Sequence, residues 1–293
     1  MFDKLDKVLL GHNQFYGINH RSMDKADQTG DYFKNIQNVV DIIEYASKLG
    51  VNSMMLSTHE NVNLITKSID HSILKTNKLN YYPLLPYMRK YLNLYNTHGY
   101  FGSLLNILKR TGISQNLKFS LRLLNPLSPI YEKLMKSFID IEIAPFMGKN
   151  TKVIFLHNIL TDFLVAMGMT EVLISFSKYI KSNFNCEPGF CTVNFPNLVK
   201  VLNSVGLNNS IIMAPFNKVG YQMNPTKTKC EEVLSENPQM WVIAMSTLAS
   251  GAINPKEAYG YLFSDLQGIN SVVVGVSTKV HAEETFSLLN KYL

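Results

Sequence analysis

Short apolar runs alternate with longer segments of helical periodicity along most of this chain. The pattern is clearest near the C-terminus, where residues 241–245 and 271–275 are apolar and each run is followed by small polar residues and then a helical segment. An apolar run of four to six residues followed by a helix-like segment is typical of a β/α unit. Repetition of this unit predicts parallel strands with helices packed outside them.

The alternation predicts eight strands, and their close spacing in the second half of the chain favours a closed barrel over an open sheet. The predicted strands are residues 7–10, 52–56, 79–85, 152–156, 189–193, 210–214, 241–245 and 271–275. The predicted helices include residues 32–49, 62–74, 129–141 and 173–180, one through Phe163 and one from Pro196. Residues 88–148 exceed what one β/α unit needs, so we expect a helical insertion between strands 3 and 4, as a cap or an oligomer surface. The predicted fold is a single (β/α)₈ barrel domain over residues 1–293.

Composition and charge narrow the class of protein. The chain is 46% hydrophobic and 17% charged, with no apolar run long enough to cross a membrane. Its first residues lack the apolar core and the cleavage site of a signal peptide, so we do not expect one. Three widely spaced cysteines suggest reduced thiols. The net charge of +6 comes from scattered lysines, which favours a solvated surface over nucleic-acid binding. We therefore expect a cytoplasmic protein with a small-molecule substrate and neither nucleic-acid nor membrane partners; homo-oligomerisation stays open.

Several segments resemble the aldo-keto reductase family. The matching residues are 10–17 (first strand), 50–58 (second strand), 155–157 (fourth strand with its active-site histidine), 191–195 (fifth strand), and 242–251 and 273–284 (the last two strands with their phosphate loops). The resemblance implies a TIM barrel and NADP-dependent reduction by an Asp–Tyr–Lys–His group, in which lysine lowers the pKa of the proton-donating tyrosine.

The chain departs from that family at the residues that do the chemistry. Ser57 stands at the position of the Asp, residues 59–64 contain no Tyr, residues 84–87 contain no Lys, and only His157 remains of the four. Among the positions that resemble nicotinamide contacts, Asn194 is kept, whereas apolar residues occupy the others: Val193, Met213 and Met245. The resemblance therefore leaves a nucleotide-binding role open but not the family's usual mechanism.

Four of the seven histidines follow predicted strands closely: His12, His20, His59 and His157. In a (β/α)₈ barrel such positions face the active site, and histidine titrates near neutral pH. The leading hypothesis takes His157 and His59 as acid and base, with Glu60 orienting one of them and His12 nearby. The alternative is that each is a hydrogen-bonded histidine at the barrel rim. His12, His59, His157 and Glu60 would also suit zinc, a less favoured reading.

Further polar residues after the strands are candidates for binding. The substrate-binding candidates are Asn13, Tyr16, Asn158, Asn194, Asn217, Lys218 and Gln222. The phosphate- or cofactor-binding candidates are Ser246, Gly275, Ser277, Thr278 and Lys279. Backbone N–H groups at the start of the last helix attract an anion, and ordinary helix capping is the alternative. Lys218 follows its strand by four residues, which favours either steering of an anion or a plain surface lysine over Schiff-base chemistry.

Three functions remain open from the sequence. The leading one is a lyase, isomerase or hydrolase that uses histidine acid/base chemistry on a polar, anionic substrate. The second is an NADP-dependent oxidoreductase with a non-standard site, in which Tyr16 or Tyr87 supplies the proton. The third is a non-enzymatic relative that binds a ligand. The cofactor is undecided between NADP, a divalent metal and none.

Overall fold

Eight parallel strands close into a barrel in the computed structural model, which describes residues 5–18, 23–70, 79–87, 90, 96–97 and 129–293. The strands are β1 Val8–Leu10, β2 Ser53–Ser57, β3 Asn80–Leu85, β4 in two pieces (Asn150–Thr151 and Val153–Leu156), β5 Glu187–Cys191, β6 Ile211–Pro215, β7 Trp241–Met245 and β8 Ile269–Val274. Each strand pairs with the next, and β1 pairs with both β2 and β8. The predicted (β/α)₈ fold is confirmed.

Helices surround the barrel. Those in the described ranges are α1 Met23–Phe33, α2 Ile36–Lys48, α3 Val62–Asp70, α4 Ile130–Ile143, α5 Asn158–Ala166, α6 Thr170–Asn183, α7 Phe195–Ser204, α8 Lys227–Glu236, α9 Pro255–Gly260 and α10 Lys279–Leu289. Their apolar faces pack on the outer surface of the strands and form the larger of the hydrophobic cores. None of the helices described is long and apolar enough to span a lipid bilayer.

A second core fills the inside of the barrel. It contains Tyr82, Phe155, Met213, Trp241 and Ile243, all of them buried. Glycine at position 189 leaves room for this packing, because a Cβ there would lie 2.4 Å from a ring carbon of Phe155. The interior is therefore packed with side chains, as in other barrels of this class. A ligand would have to bind at the ends of the strands.

Polar side chains cross-link the amino-terminal end of the barrel. The Tyr82 hydroxyl donates to the Asp6 carboxylate at 2.7 Å, and the Asn80 amide donates to the same carboxylate at 2.9 Å. The Trp241 indole N–H donates to Ser271 Oγ at 3.1 Å, and that hydroxyl donates to the Asp6 carbonyl at 2.7 Å. These groups bond one another, so this closed end serves stability.

Some predicted boundaries were wrong. The single helix predicted over residues 32–49 is two helices, because the Asn35 side chain accepts from the Gln37 N–H and starts α2 there. Strand β5 lies two residues earlier than predicted, at Glu187–Cys191. Of the predicted insertion at 88–148, most lies outside the described residues; α4 belongs to its end. His20 and the end of the helix predicted at 62–74 also lie outside them.

Candidate active site

Four aromatic side chains meet where β1, β2 and β3 end; we call His12, Tyr16, His59 and Tyr87 the mouth group. The Tyr16 and His59 rings are stacked, with centroids 4.1 Å apart and an interplanar angle of 13°. The Tyr87 ring lies 4.7 Å from His59, and the His12 ring meets Tyr16 edge-on at 5.3 Å. Three strand ends thus contribute to one polar aromatic surface at the open end of the barrel.

A tight turn places Tyr16 in this group. Residues Asn13–Tyr16 form a single 3₁₀ turn directly after β1, and Gly17 ends it with a left-handed φ of 62°. Gln14, within the turn, donates from its amide to the Gly11 carbonyl at 2.8 Å. The turn folds the chain back over the strand ends, and the Tyr16 hydroxyl reaches the Ser57 carbonyl at a long 3.4 Å.

Burial favours the neutral form of two histidines at this end, His12 and His157. Burial lowers the pKa of His157 to about 4. Burial, and then the nearby imidazoles of His157 and His59, lower the pKa of His12 to about 3. Because the imidazoles of His157 and His59 both act on His12, the histidines that follow β4 and β2 lie near the one that follows β1. At neutral pH His12 and His157 therefore act through hydrogen bonds and hold no charge.

The hydrogen bonds of two imidazoles decide which nitrogen carries the proton. Nδ1 of His157 accepts from the Ile159 N–H at 3.3 Å, as the N-terminal cap of α5. Nδ1 of His59 accepts from the Asn61 N–H, also at 3.3 Å. A neutral imidazole whose Nδ1 accepts carries its proton on Nε2, so neutral His157 presents an N–H donor, and so does His59 when it is neutral. The Glu60 carboxylate is exposed at the rim.

Buried polar atoms without a partner concentrate at the same end. Three of the five such atoms found among the described residues are His12 Nδ1, Ser57 Oγ and Asn194 Oδ1. They follow or end β1, β2 and β5, so they lie on opposite sides of the barrel mouth. Buried polar groups are normally hydrogen-bonded, and unsatisfied ones mark places where a ligand or water completes the set.

A carboxylate positions Asn194 on the β5 side. The Thr192 hydroxyl donates to Asp162 of α5, and the Val193 N–H donates to the same carboxylate at 3.0 Å. The Asn194 N–H in turn donates to Thr192 Oγ1 at 2.9 Å. Burial raises the pKa of Asp162, opposed by these two hydrogen bonds. These hydrogen bonds therefore fix the loop that carries the unpartnered Asn194 Oδ1 to α5.

A buried ion pair near the mouth was missed by the sequence reading. Lys90 Nζ lies 2.6 Å from Glu142 Oε1, and the Glu142 side chain is fully buried. Thr58 Oγ1 donates to the other Glu142 oxygen. A signal was present: Glu142 shares the helix face of Ile139 and Ile143, which are buried, and a charge on such a face needs a partner.

Other predicted binding residues have structural roles. The Asn217 side chain is fully buried, and both groups of its amide bond the Tyr221 backbone, at 2.8 and 2.7 Å. Its prediction as a substrate ligand is not supported, because the amide closes its own loop. Lys218 is exposed and pairs with Glu257 at 2.7 Å. It lines a cavity of about 500 Å³ on the outer flank of the barrel, together with residues of α8 such as Lys227.

The remaining substrate candidates lie around the rim. Asn13 is exposed, and Asn158 is half-buried at the start of α5. Gln222 is half-buried with a left-handed φ of 60°. These positions are compatible with ligand contact, and that role stays a prediction.

The loops after β7 and β8 carry the predicted phosphate site. Thr278 caps α10 by accepting from the His281 N–H at 3.1 Å, so the capping role predicted as the alternative is present. Gly275 is exposed; a Cβ there would lie 2.4 Å from Gln14 Oε1, so the Gln14 amide rests on this loop. Ser277 is half-buried. Lys279 Nζ lies 5.8 Å from the ring centroid of Tyr45.

The β7 loop is strained. Ser246, Ala249 and Ser250 all have left-handed φ values of 55°, 45° and 56°. Such conformations are unfavourable for residues with a Cβ, and they cluster at functional loops.

Within the described ranges, no three His, Cys, Asp or Glu side chains are grouped as a metal site requires, so the proposed zinc ligands do not assemble.

Comparison with solved structures identifies the architecture. A protein of Pseudomonas aeruginosa assigned to the aldo-keto reductases superposes with a TM-score of 0.62 at 10% identity, covering 98% of this chain and 91% of that one. The fold is that of the aldo-keto reductases. The Bacillus halodurans aldo-keto reductase AKR11C1 in its holo form gives 0.57 at 10% identity (97% and 86% covered). A Bombyx mori aldo-keto reductase in complex with NADP gives 0.54 at 12% identity (99% and 85% covered).

Sequence comparison adds nothing to this result. No protein-family model matches the chain, and no curated protein matches it. Identities of 10–12% establish a shared fold alone.

Proposed function

We propose that this protein is an NADP-dependent oxidoreductase that reduces a small carbonyl compound at a non-standard site. The observation that carries the proposal is the set of buried, unpartnered polar atoms of His12, Ser57 and Asn194 around the open end of the barrel. The architecture supports it, since the aldo-keto reductase from Bombyx mori was solved with NADP on the same fold. This places the second function considered from the sequence ahead of the first.

The residues present fit the cofactor, with fewer contacts than the resemblance implies. Asn194 Oδ1 is a free acceptor for the carboxamide N–H of a nicotinamide. Met245 is half-buried at the end of β7, and a thioether packs favourably on the face or edge of a ring. Met213 is buried in the barrel interior and gives no polar contact. The N-terminus of α10, with Ser277 and Lys279, would hold phosphate oxygens.

Tyr16 of the mouth group and the neighbouring His157 supply what carbonyl reduction requires of the protein. When bound, NADPH supplies the hydride, and the carbonyl oxygen must then receive a proton to become the alcohol. His157 presents a neutral donor towards such an oxygen, which polarises the carbonyl before transfer. Burial raises the pKa of Tyr16 well above its usual value, so its hydroxyl stays protonated and available as the proton donor. A substrate oxygen would replace its long hydrogen bond to Ser57.

Histidine acid/base chemistry without a nicotinamide is the second candidate. The meeting of His12, His59 and His157 at one end of the barrel favours it. The depressed pKa values of His12 and His157 make them weak bases, which is why it ranks second.

NADPH titration distinguishes the two functions. We expect wild type to bind NADPH, seen as a change in the cofactor's own fluorescence, and Asn194→Leu to weaken binding about tenfold or more, as loss of a charged or buried hydrogen bond does. Asn203→Leu is the matched control, because that amide lies on the surface of α7 and bonds Asn237.

Hydride transfer is then followed at 340 nm (the nicotinamide absorbance) with a panel of aldehydes and ketones. Tyr16→Phe should lower kcat by about 10²-fold or more, the usual contribution of a general acid. If wild type neither binds NADPH nor oxidises it, the oxidoreductase proposal fails and the acid/base candidate takes its place.

A further inference from the structure

The Glu142 carboxylate lies at the centre of a hydrogen-bond network that joins three segments beside the mouth. Glu142 is on α4, Thr58 follows β2, and Lys90 follows β3. Thr58 Oγ1 donates to one carboxylate oxygen, and Lys90 Nζ donates to the other at 2.6 Å. The carboxylate is fully buried, and the Lys90 side chain is 16% exposed. Both oxygens are therefore occupied in a water-poor setting.

Each partner of Glu142 also holds backbone next to the mouth group. Thr58 Oγ1 accepts from the Tyr87 N–H at 3.2 Å, and Lys90 Nζ also donates to the Thr58 carbonyl at 3.1 Å. The Thr58 N–H donates to the Leu84 carbonyl at 3.2 Å. The Thr58 hydroxyl thus bridges a buried carboxylate and the peptide that carries the Tyr87 ring.

Two rings of the mouth group depend on these bonds. His59 is the next residue after Thr58, and Tyr87 is the residue whose N–H Thr58 accepts. The two rings lie 4.7 Å apart, and His59 stacks on Tyr16 at 4.1 Å. A turn of the backbone at Thr58 would move His59 off the Tyr16 face, because no other residue separates it from the bridge.

We infer that Glu142 and Lys90 are positioning residues that act through Thr58 to hold His59 and Tyr87 against Tyr16. An apolar residue at position 142 would fill the same space without desolvating a charge. It would remove the acceptor of the Thr58 hydroxyl and the carboxylate that pairs with Lys90, so we attribute the glutamate to the geometry that its hydrogen bonds hold. The inference rests on the proposed function only for the use of the mouth group in catalysis.

Proton NMR of the His59 imidazole tests this inference without any cofactor. Stacking on Tyr16 places the His59 ring protons over an aromatic face, so we expect an upfield-shifted Cε1–H resonance in wild type. His59→Gln assigns the resonance, and Tyr16→Leu gives its unstacked position. Thr58→Val keeps the side-chain shape and removes only the hydroxyl. In this variant the His59 resonance should move to the position seen in Tyr16→Leu. Thr58→Ser should restore the wild-type value.

Two further variants complete the design. Ser271→Ala removes a hydroxyl at the closed end that is as buried as that of Thr58 and also makes two hydrogen bonds. This variant should leave the His59 resonance in place. Glu142→Gln provides a second break in the network if Thr58→Val does not fold, and it should also shift the resonance downfield. A folded variant of either kind with an unchanged His59 resonance overturns the inference. Absence of NADPH binding would overturn the proposed function and leave this result untouched.

Discussion

The two ends of the barrel use buried polar groups in opposite ways. At the amino-terminal end, Asp6, Asn80, Tyr82, Trp241 and Ser271 bond one another within 3.1 Å. At the carboxyl-terminal end, buried atoms of His12, Ser57 and Asn194 have no partner. Both sets lie at or near the ends of strands of the same barrel, so a place at a strand end does not by itself decide the difference.

Satisfied and unsatisfied groups have different energetic consequences. A buried hydrogen bond contributes about 1 kcal/mol net, whereas a buried polar group left unpaired costs about 1–3 kcal/mol. The closed end therefore stabilises the fold, and the open end holds groups that a ligand or water would satisfy. The comparison separates residues that stabilise the fold from residues that we propose bind a ligand, and three measurements would sharpen or break it.

The largest expected effect is a loss of stability in acid. The folded-state pKa values of His12 and His157, about 3 and about 4, lie below the usual 6.5. Their stabilising effect is therefore complete above pH 6.5 and is lost as the pH falls towards 4, each at up to about 1.4 kcal/mol per pH unit.

Urea unfolding between pH 4 and pH 7 measures this effect. The double variant His12→Asn/His157→Asn is the comparison, since asparagine does not titrate and still caps a helix at position 157. The wild-type curve should be the steeper of the two. Parallel curves would show that these imidazoles titrate alike in the folded and unfolded protein, contrary to the lowering of their pKa by burial.

An intermediate effect is expected at the closed end. Tyr82→Phe removes a hydroxyl that donates to the Asp6 carboxylate and accepts from the Asp6 N–H. We expect a loss of about 1–3 kcal/mol in the free energy of unfolding and unchanged NADPH binding. Tyr81→Phe, on the same strand but facing the helices, is the control and should cost less. Weakened NADPH binding in Tyr82→Phe would mean that the amino-terminal end also affects binding, contrary to the comparison.

The smallest effect has the opposite sign. Ser57→Ala removes an unpartnered buried hydroxyl and should raise the free energy of unfolding by about 1 kcal/mol while weakening ligand binding. Ser53 lies on the same strand, equally buried, and donates to the Val8 carbonyl at 2.6 Å, so Ser53→Ala should lower stability instead. Equal destabilisation by both serine variants would mean that Ser57 has a partner after all.

The sequence predicts the barrel well because its strands are short apolar runs between breaks. Residues Trp241–Met245 were placed without error, and the other strands within about two residues. Placing His12, Tyr16, His59 and His157 at the open end followed directly, since every strand of a parallel barrel ends there. The break at Asn35 was missed because the apolar periodicity continues across it.

Contacts between distant residues were beyond the sequence. Lys90 and Glu142 are 52 positions apart, and no periodic pattern pairs them. Asn217 shows the reverse problem: an asparagine after a strand looks the same whether it faces a ligand or closes its own loop, and only its bonds to Tyr221 distinguish the two. Whether a polar atom lacks a partner depends on all of its neighbours in the folded protein. The sequence therefore could not predict the unpartnered atoms.

The cap that His157 forms on α5 limits what this ring can do. One nitrogen is committed to the main chain, which leaves a single nitrogen for any bound molecule. With Nδ1 held by the main chain, such a ring would offer a bound molecule a single hydrogen bond from Nε2. Rotation of the ring would remove the cap from the first turn of α5, so capping and the direction of that hydrogen bond are linked.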